Sequence, residues 1–231
     1  MFFYDITGEN ATGRESHFMY KVYAWMGAAL FVTGAVAFGV LYSPTIMSYI
    51  FRPGIALGLC LGSLVLVIML SAMIQQMSFT MALIVYFAYA AVLGLMLSSI
   101  FVVYTQSSIY ATFFITAGMF GCMALYGMFT RADLTSVGSY AVMALWGLIL
   151  AMIVNIFLAS SQLEFIISLL GVILFVVLTA VDTQKIKQLA NQLTAERQMV
   201  NKVALICALT LYLDFINLFL FLLRFMGNRK E

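Results

Sequence analysis

Seven runs of about 20 predominantly apolar residues, each long enough to cross a bilayer core, leave this chain little freedom of fold. They lie at Tyr20–Leu41, Ile55–Ile74, Phe79–Val103, Ile109–Phe129, Val137–Leu158, Phe165–Val181 and Val203–Phe225. The runs are continuously apolar, without the alternation of a lipid-facing barrel strand, so each predicts a helix. A helix satisfies its own backbone polar groups, which lipid cannot do. Composition agrees: 65% of the 231 residues are hydrophobic and 9% are charged, against about 25% charged in a soluble domain. So little polar surface cannot cover a water-exposed globule. The expected class is an all-α integral membrane protein, a seven-transmembrane helical bundle.

On this reading residues 1–19 form a polar N-terminal tail, 20–225 the bundle and 226–231 a short C-terminal tail. The first run lacks a small-residue cleavage site and reads as a retained signal-anchor. Short connections at Gln75–Ser78 and Tyr104–Ser108 make neighbouring spans antiparallel. The stretch Thr183–Lys202 is polar, favours helix and lacks Gly and Pro, so it should prolong the sixth helix before the turn into the seventh. Gly58 and Gly62 form a GxxxG pair that could mark a close helix contact.

Basic residues near span ends set orientation. Arg14, Lys21, Arg131, Lys185, Lys187, Arg197 and Lys202 fall on the side of the N-terminus, and Arg52, Arg224, Arg229 and Lys230 on the other. Seven against four places the N-terminus in the cytoplasm. The net charge of +2 gives no reason to expect a nucleic-acid partner; the lipid bilayer is the partner composition implies. His17 lies alone in the tail, and Cys60, Cys122 and Cys207 are scattered through apolar runs. Neither a zinc site nor a disulfide framework follows, and no cofactor is expected.

An ionisable group at the centre of a membrane helix costs about 2.5–3.5 kcal/mol on insertion scales, so such groups usually face the bundle interior and have a task. Asp214 lies about halfway through the last run and Asp182 at the end of the sixth. Asp5, Glu9, Glu15, Asp133, Glu164, Glu196 and Glu231 sit in tails, loops or span edges. Thr210, Asp214 and Asn217, spaced four and three apart, share a stripe of one helix. Ser168, Gly171, Thr179 and Asp182 fall near one face of the other. Two antiparallel helices joined by one turn could press those faces together and make Asp182 and Asp214 a facing pair.

Such a pair cannot ionise twice cheaply in a low-dielectric site, so one proton tends to be held between the two groups. When ionised, the same oxygens suit a hard cation such as Ca²⁺. Protons and calcium ions would then compete for Asp182 and Asp214. The plainer alternatives are that Lys185, one turn along, neutralises Asp182, and that Asp214 is a buried hydrogen-bonding partner of Asn217 or Tyr212. Asn155, polar and deep in the fifth run, reads first as an interhelical hydrogen bond and second as a ligand.

The runs Leu211-Tyr212-Leu213-Asp214-Phe215-Ile216-Asn217-Leu218-Phe219 and Ala180-Val181-Asp182-Thr183-Gln184-Lys185-Ile186 resemble the Bax inhibitor-1 (transmembrane Bax inhibitor motif) family, most closely its bacterial members. The resemblance covers essentially the whole chain. It implies six helices around a central seventh, a pH-sensitive calcium leak with Asp182 and Asp214 as its two-aspartate sensor, and a multi-pass protein of the inner (plasma) membrane. Two departures stand out. Val181 occupies a position where many members carry Tyr, and Gln75 and Gln76 stand where some members latch the closed form with an arginine.

The leading expectation is thus a pH-gated cation leak channel, with Asn217, Thr210 and Asn155 as supporting residues. The alternative is an interaction protein, contacting a membrane-bound protease or stress pathway through Met1–Met19. Enzyme readings lack material. No Gly-x-Gly-Asp motif surrounds either aspartate, and the last span holds no interior lysine for a retinal.

Overall fold

The computed structural model describes residues 6–50, 52–192 and 197–230, with side chains described in these ranges except at 6–12, 44, 197 and 198. Asp5, Glu196 and Glu231, and the side chains of Glu9 and Arg197, therefore lie outside the described residues. Within them the chain forms nine helices: α1 (Ile6–Leu41), α2 (Pro44–Ile50), α3 (Pro53–Met73), α4 (Phe79–Leu97), α5 (Ile100–Val103), α6 (Gln106–Phe129), α7 (Thr135–Leu158), α8 (Ser161–Gln192) and α9 (Arg197–Met226). Seven segments are long and apolar enough to cross a membrane: Gly13–Leu41, Pro53–Met73, Phe79–Val103, Gln106–Phe129, Thr135–Leu158, Ser161–Gln192 and Met199–Met226. The protein is a seven-span helical bundle.

The boundaries have local causes. Ser78 accepts a hydrogen bond from the Met81 N–H, and Thr105 from the Ser108 N–H, so each caps the helix that follows it and satisfies a donor the helix leaves open. Helix α8 runs through Asp182 and on to Gln192, as the polar, Gly-free sequence there predicts. Between α7 and α8 the chain turns through Ala159 in the left-handed region (φ 47°). Helix α1 begins at Ile6, so helical structure reaches well into the polar N-terminal segment.

Burial grades the spans. The second and fifth are 11% buried and the last is 72% buried, so α9 is the most enclosed helix. The chain divides into two compact units, Met1–Val103 with Leu189–Tyr212, and Tyr104–Gln188 with Leu213–Glu231. In the first, α1 packs along α4: the Thr33 hydroxyl donates to the Ala90 carbonyl at 2.9 Å and meets the Tyr212 hydroxyl at 2.7 Å. Gly94 permits this approach, because a methyl there would collide with the Thr33 carbonyl oxygen. Lys21 donates to Asn201, and Lys202 to the Gln75 carbonyl.

In the second unit, Phe215 packs edge-on against Phe113 and Phe120 of α6, and Phe221 lies against Gly171 of α8 and stacks on Phe175. One expectation is corrected here. Gly58 and Gly62 mark no close contact among the described residues, since nothing lies within 4 Å of where a Cβ would stand at either. The GxxxG spacing records small side chains and carries no information about what they face.

Candidate functional site: an aspartate pair between two helices

The turn of α8 that carries Asp182 is fixed from several directions. A methyl at Gly127 of α6 would collide with the Ala180 carbonyl oxygen, and one at Gly138 of α7 would stand 2.7 Å from Val181 Cγ1. Both helices therefore approach α8 more closely than any residue but glycine allows. Val181 fills the space Gly138 leaves. The loop between α6 and α7 is clipped to α8 as well. Buried Gln184 accepts from the Leu134 N–H at 2.9 Å and donates to the Ala132 carbonyl at 2.8 Å, and Lys187 donates to the Met128 carbonyl at 2.6 Å. Asp182 thus stands on a rigid segment.

Asp214 stands on α9 between the apolar faces that pack against α6 and α8, and is 6% exposed. Its carboxyl lies close enough to that of Asp182 for the two charges to act on one another. The Asp182 side chain is 16% exposed and receives a hydrogen bond from Lys185 at 3.1 Å. Lys185 is near enough for its charge to act on Asp214 also. The site is therefore a triad of two acids and one ammonium, with Lys185 half in solvent.

One detail bears on protonation. Asp214 Oδ2 is buried and has no hydrogen-bond partner among the described residues, and the same holds for the hydroxyl of fully buried Thr183. Two ionised carboxylates offer acceptors only. A proton on either acid supplies the donor the arrangement lacks.

The remaining sequence-derived candidates fall elsewhere. Asn217 donates to the Leu213 carbonyl and Thr210 to the Ile206 carbonyl, each bonding its own helix backbone one turn back. They flank Asp214 along α9 without hydrogen-bonding to it. Tyr212 is engaged by Thr33, so neither Asn217 nor Tyr212 is the partner of Asp214. Asn155 is corrected outright: its Oδ1 accepts from the Ser160 N–H at 3.1 Å, which holds the α7–α8 turn and makes no interhelical bond. It lies seventeen residues beyond Gly138 on α7, about 25 Å along the helix, so it is remote from the aspartates. In the sequence Lys185 reads as a basic residue at a span end and as a neutraliser of Asp182. Gln184 and Gly127 gave no signal there, because nothing in a single helix's sequence shows which of its residues meet a neighbour.

The pair could coordinate a passing cation only in part. Calcium takes 6–8 oxygen ligands, and among the described residues no third His, Cys, Asp or Glu joins the two aspartates. Water and backbone carbonyls would have to complete the shell. Such a site suits transient contact better than tight binding.

Comparison with known proteins identifies the lineage. The family model described as Inhibitor of apoptosis-promoting Bax1 matches residues 15–231. The chain belongs to the Bax inhibitor-1 family. It is 47% identical to Inner membrane protein YbhL of Escherichia coli (strain K12) over 215 residues, covering 92% of each chain. It is 42% identical to an uncharacterized protein of Borreliella burgdorferi, covering 94% of each. A protein of Rickettsia prowazekii is 40% identical, with 97% of this chain and 96% of the relative covered. The family model's match includes both Asp182 and Asp214.

Proposed function

We infer that this Bax inhibitor-1 protein is a pH-responsive cation leak pathway, with Ca²⁺ the most suitable ion and Asp182 and Asp214 as its proton-operated element. The observation that carries this reading is the meeting of two carboxyl groups on neighbouring helices, one of them buried with an unpartnered oxygen. A lone structural acid would be expected to have its hydrogen bonds filled. This one faces a second acid and lacks a donor. That arrangement is stable while a proton is present and is altered when the proton leaves.

The geometry suggests which part responds. Gln184, Lys187, Gly127 and Gly138 tie the Asp182 turn to α6, α7 and their connecting loop, whereas the Asp214 side chain makes no polar contact beyond its neighbours on α8. On deprotonation the two charges repel, and the repulsion acts across the packing of α8 and α9. A cation entering between the ionised groups replaces the proton, so protons and calcium ions compete. No arginine is available from α3 to latch a closed state; Lys185 is the cation at hand. The role read here is non-enzymatic. By analogy with the YbhL relative we place the protein in the inner membrane, with the N-terminus cytoplasmic on the basic-residue count.

The test is calcium flux into dye-loaded proteoliposomes across a pH series. Flux should exceed that of protein-free vesicles and depend on pH, and Asp182→Asn with Asp214→Asn should abolish that dependence. Flux equal to that of empty vesicles at every pH would rule out the channel and leave a role in contacting another membrane protein.

A further inference from the structure

We propose that the lipid-facing side of α7 and α8 binds one anionic phospholipid, its acyl chain lying in the groove between the two helices and its phosphate at Arg224. The groove encloses about 490 Å³, within the roughly 300–1,000 Å³ of ligand sites. It is lined by small residues of α7, Ala141, Ala144, Gly147 and Ala151, and by Ile166 and Leu170 of α8. From Leu163 to Val177 it follows α8 for about 21 Å, longer than the ~15 Å depth of one hydrocarbon leaflet. An extended acyl chain therefore fits along it.

The groove does not end in hydrocarbon. It adjoins a second cavity of about 280 Å³, which shares Ile167 with it and is lined by Asn155, Glu164, Ser168 and Arg224. The polar groups there are mostly engaged. Asn155 Oδ1 accepts from Ser160, the Ser168 hydroxyl donates to the Glu164 carbonyl, and the Glu164 carboxylate is paired with Arg229 at 2.8 Å. Arg224 is exposed, with its guanidinium 5.8 Å from the Phe221 ring centre, and it makes no ion pair among the described residues. The net result is a guanidinium without an ion pair among the described residues, lining a cavity that shares Ile167 with the apolar groove. A guanidinium recognises phosphate through paired N–H donors, and a cation at the bilayer surface attracts anionic lipid. A zwitterionic lipid offers a phosphate too, but its own ammonium offsets that charge, so an anionic lipid compensates Arg224 more fully.

The experiment is native mass spectrometry of the full chain in mild detergent, offered phosphatidylglycerol and phosphatidylcholine of identical acyl chains. The wild type should retain one phosphatidylglycerol in preference. Arg224→Gln should reduce that preference about fivefold, the effect of one basic residue near a lipid surface. Gly147→Leu should reduce retention of both lipids, since a Cβ at Gly147 meets nothing within 4 Å and the leucine side chain takes up groove space. Thermal unfolding of each variant establishes that it is folded. Equal retention of the two lipids, wild-type retention by both variants, or displacement by glycerol phosphate alone would overturn the proposal. So would a dimer that disappears in Gly147→Leu, which would assign the groove to a second copy.

Discussion

Lys185 reaches back along α8 to the Asp182 carboxylate at 3.1 Å, one turn away, with its own side chain half exposed while that of Asp182 is only 16% exposed. The ammonium is the cation nearest two acids that would otherwise carry uncompensated charge. Replacing Lys185 with Gln removes that charge, which on the proposed function should alter the pH response. In proteoliposomes the midpoint of calcium flux against pH should shift in Lys185→Gln, while Lys185→Arg should retain the wild-type profile. An unchanged profile in Lys185→Gln would show that solvent screens this ammonium from the pair.

Gln184 supplies both a donor and an acceptor to the loop between α6 and α7. Gln184→Ala leaves the buried Leu134 N–H unpaired, at a cost of about 1–3 kcal/mol. Gln184→Glu keeps the acceptor but sets an oxygen against the Ala132 carbonyl, so it should be destabilising too. Thermal unfolding in detergent should show a lower Tm for both.

Two glycines of α6 separate close packing from mere composition. Gly127→Ala drives a methyl into the Ala180 carbonyl, whereas Gly118→Ala meets nothing within 4 Å. Overpacking of this kind costs about 1–3 kcal/mol. The first substitution should lower Tm and disturb the Asp182 turn; the second should be neutral or slightly stabilising, because alanine favours helix over glycine.

Asp133 lies outside the spans and accepts from both the hydroxyl and the N–H of Thr135, and these two bonds hold its carboxyl below the usual range. Because the folded value is the lower one, the associated stability is present above the unfolded value of about 4 and is lost as pH falls through the folded one. Asp133→Asn should remove this acid-side dependence. Unfolding of the two proteins compared between neutral and acid pH provides the check, and parallel curves would count against it.

The legibility of this fold follows from the solvent it meets. Hydrocarbon demands about 20 apolar residues per span, so the boundaries at Leu41, Phe79, Val103, Phe129 and Leu158 coincide in sequence and structure. The placement of Asp214 in the interior could be anticipated because buried acids are costly and helical register limits where they point. What was hidden depends on the third dimension. The Asn155 side chain acts on the turn that follows it, the Gln184 amide acts on a loop about fifty residues earlier, and Gly58, Gly62 and Gly127 look alike until a neighbour is present or missing. Sequence periodicity shows which residues share a face and leaves open which face of another helix receives them.

The steep grading of burial toward α9 bears on how the molecule is made. The six earlier spans emerge from the ribosome before the segment that fills the space beside Gly171, Phe113 and Phe120. Until α9 enters the bilayer, the surfaces of α6 and α8 that receive it lack that partner. Native packing waits for the last insertion event, and a substitution that delays α9 from entering the bilayer should expose the nascent chain to quality-control proteolysis even when the finished protein would be stable.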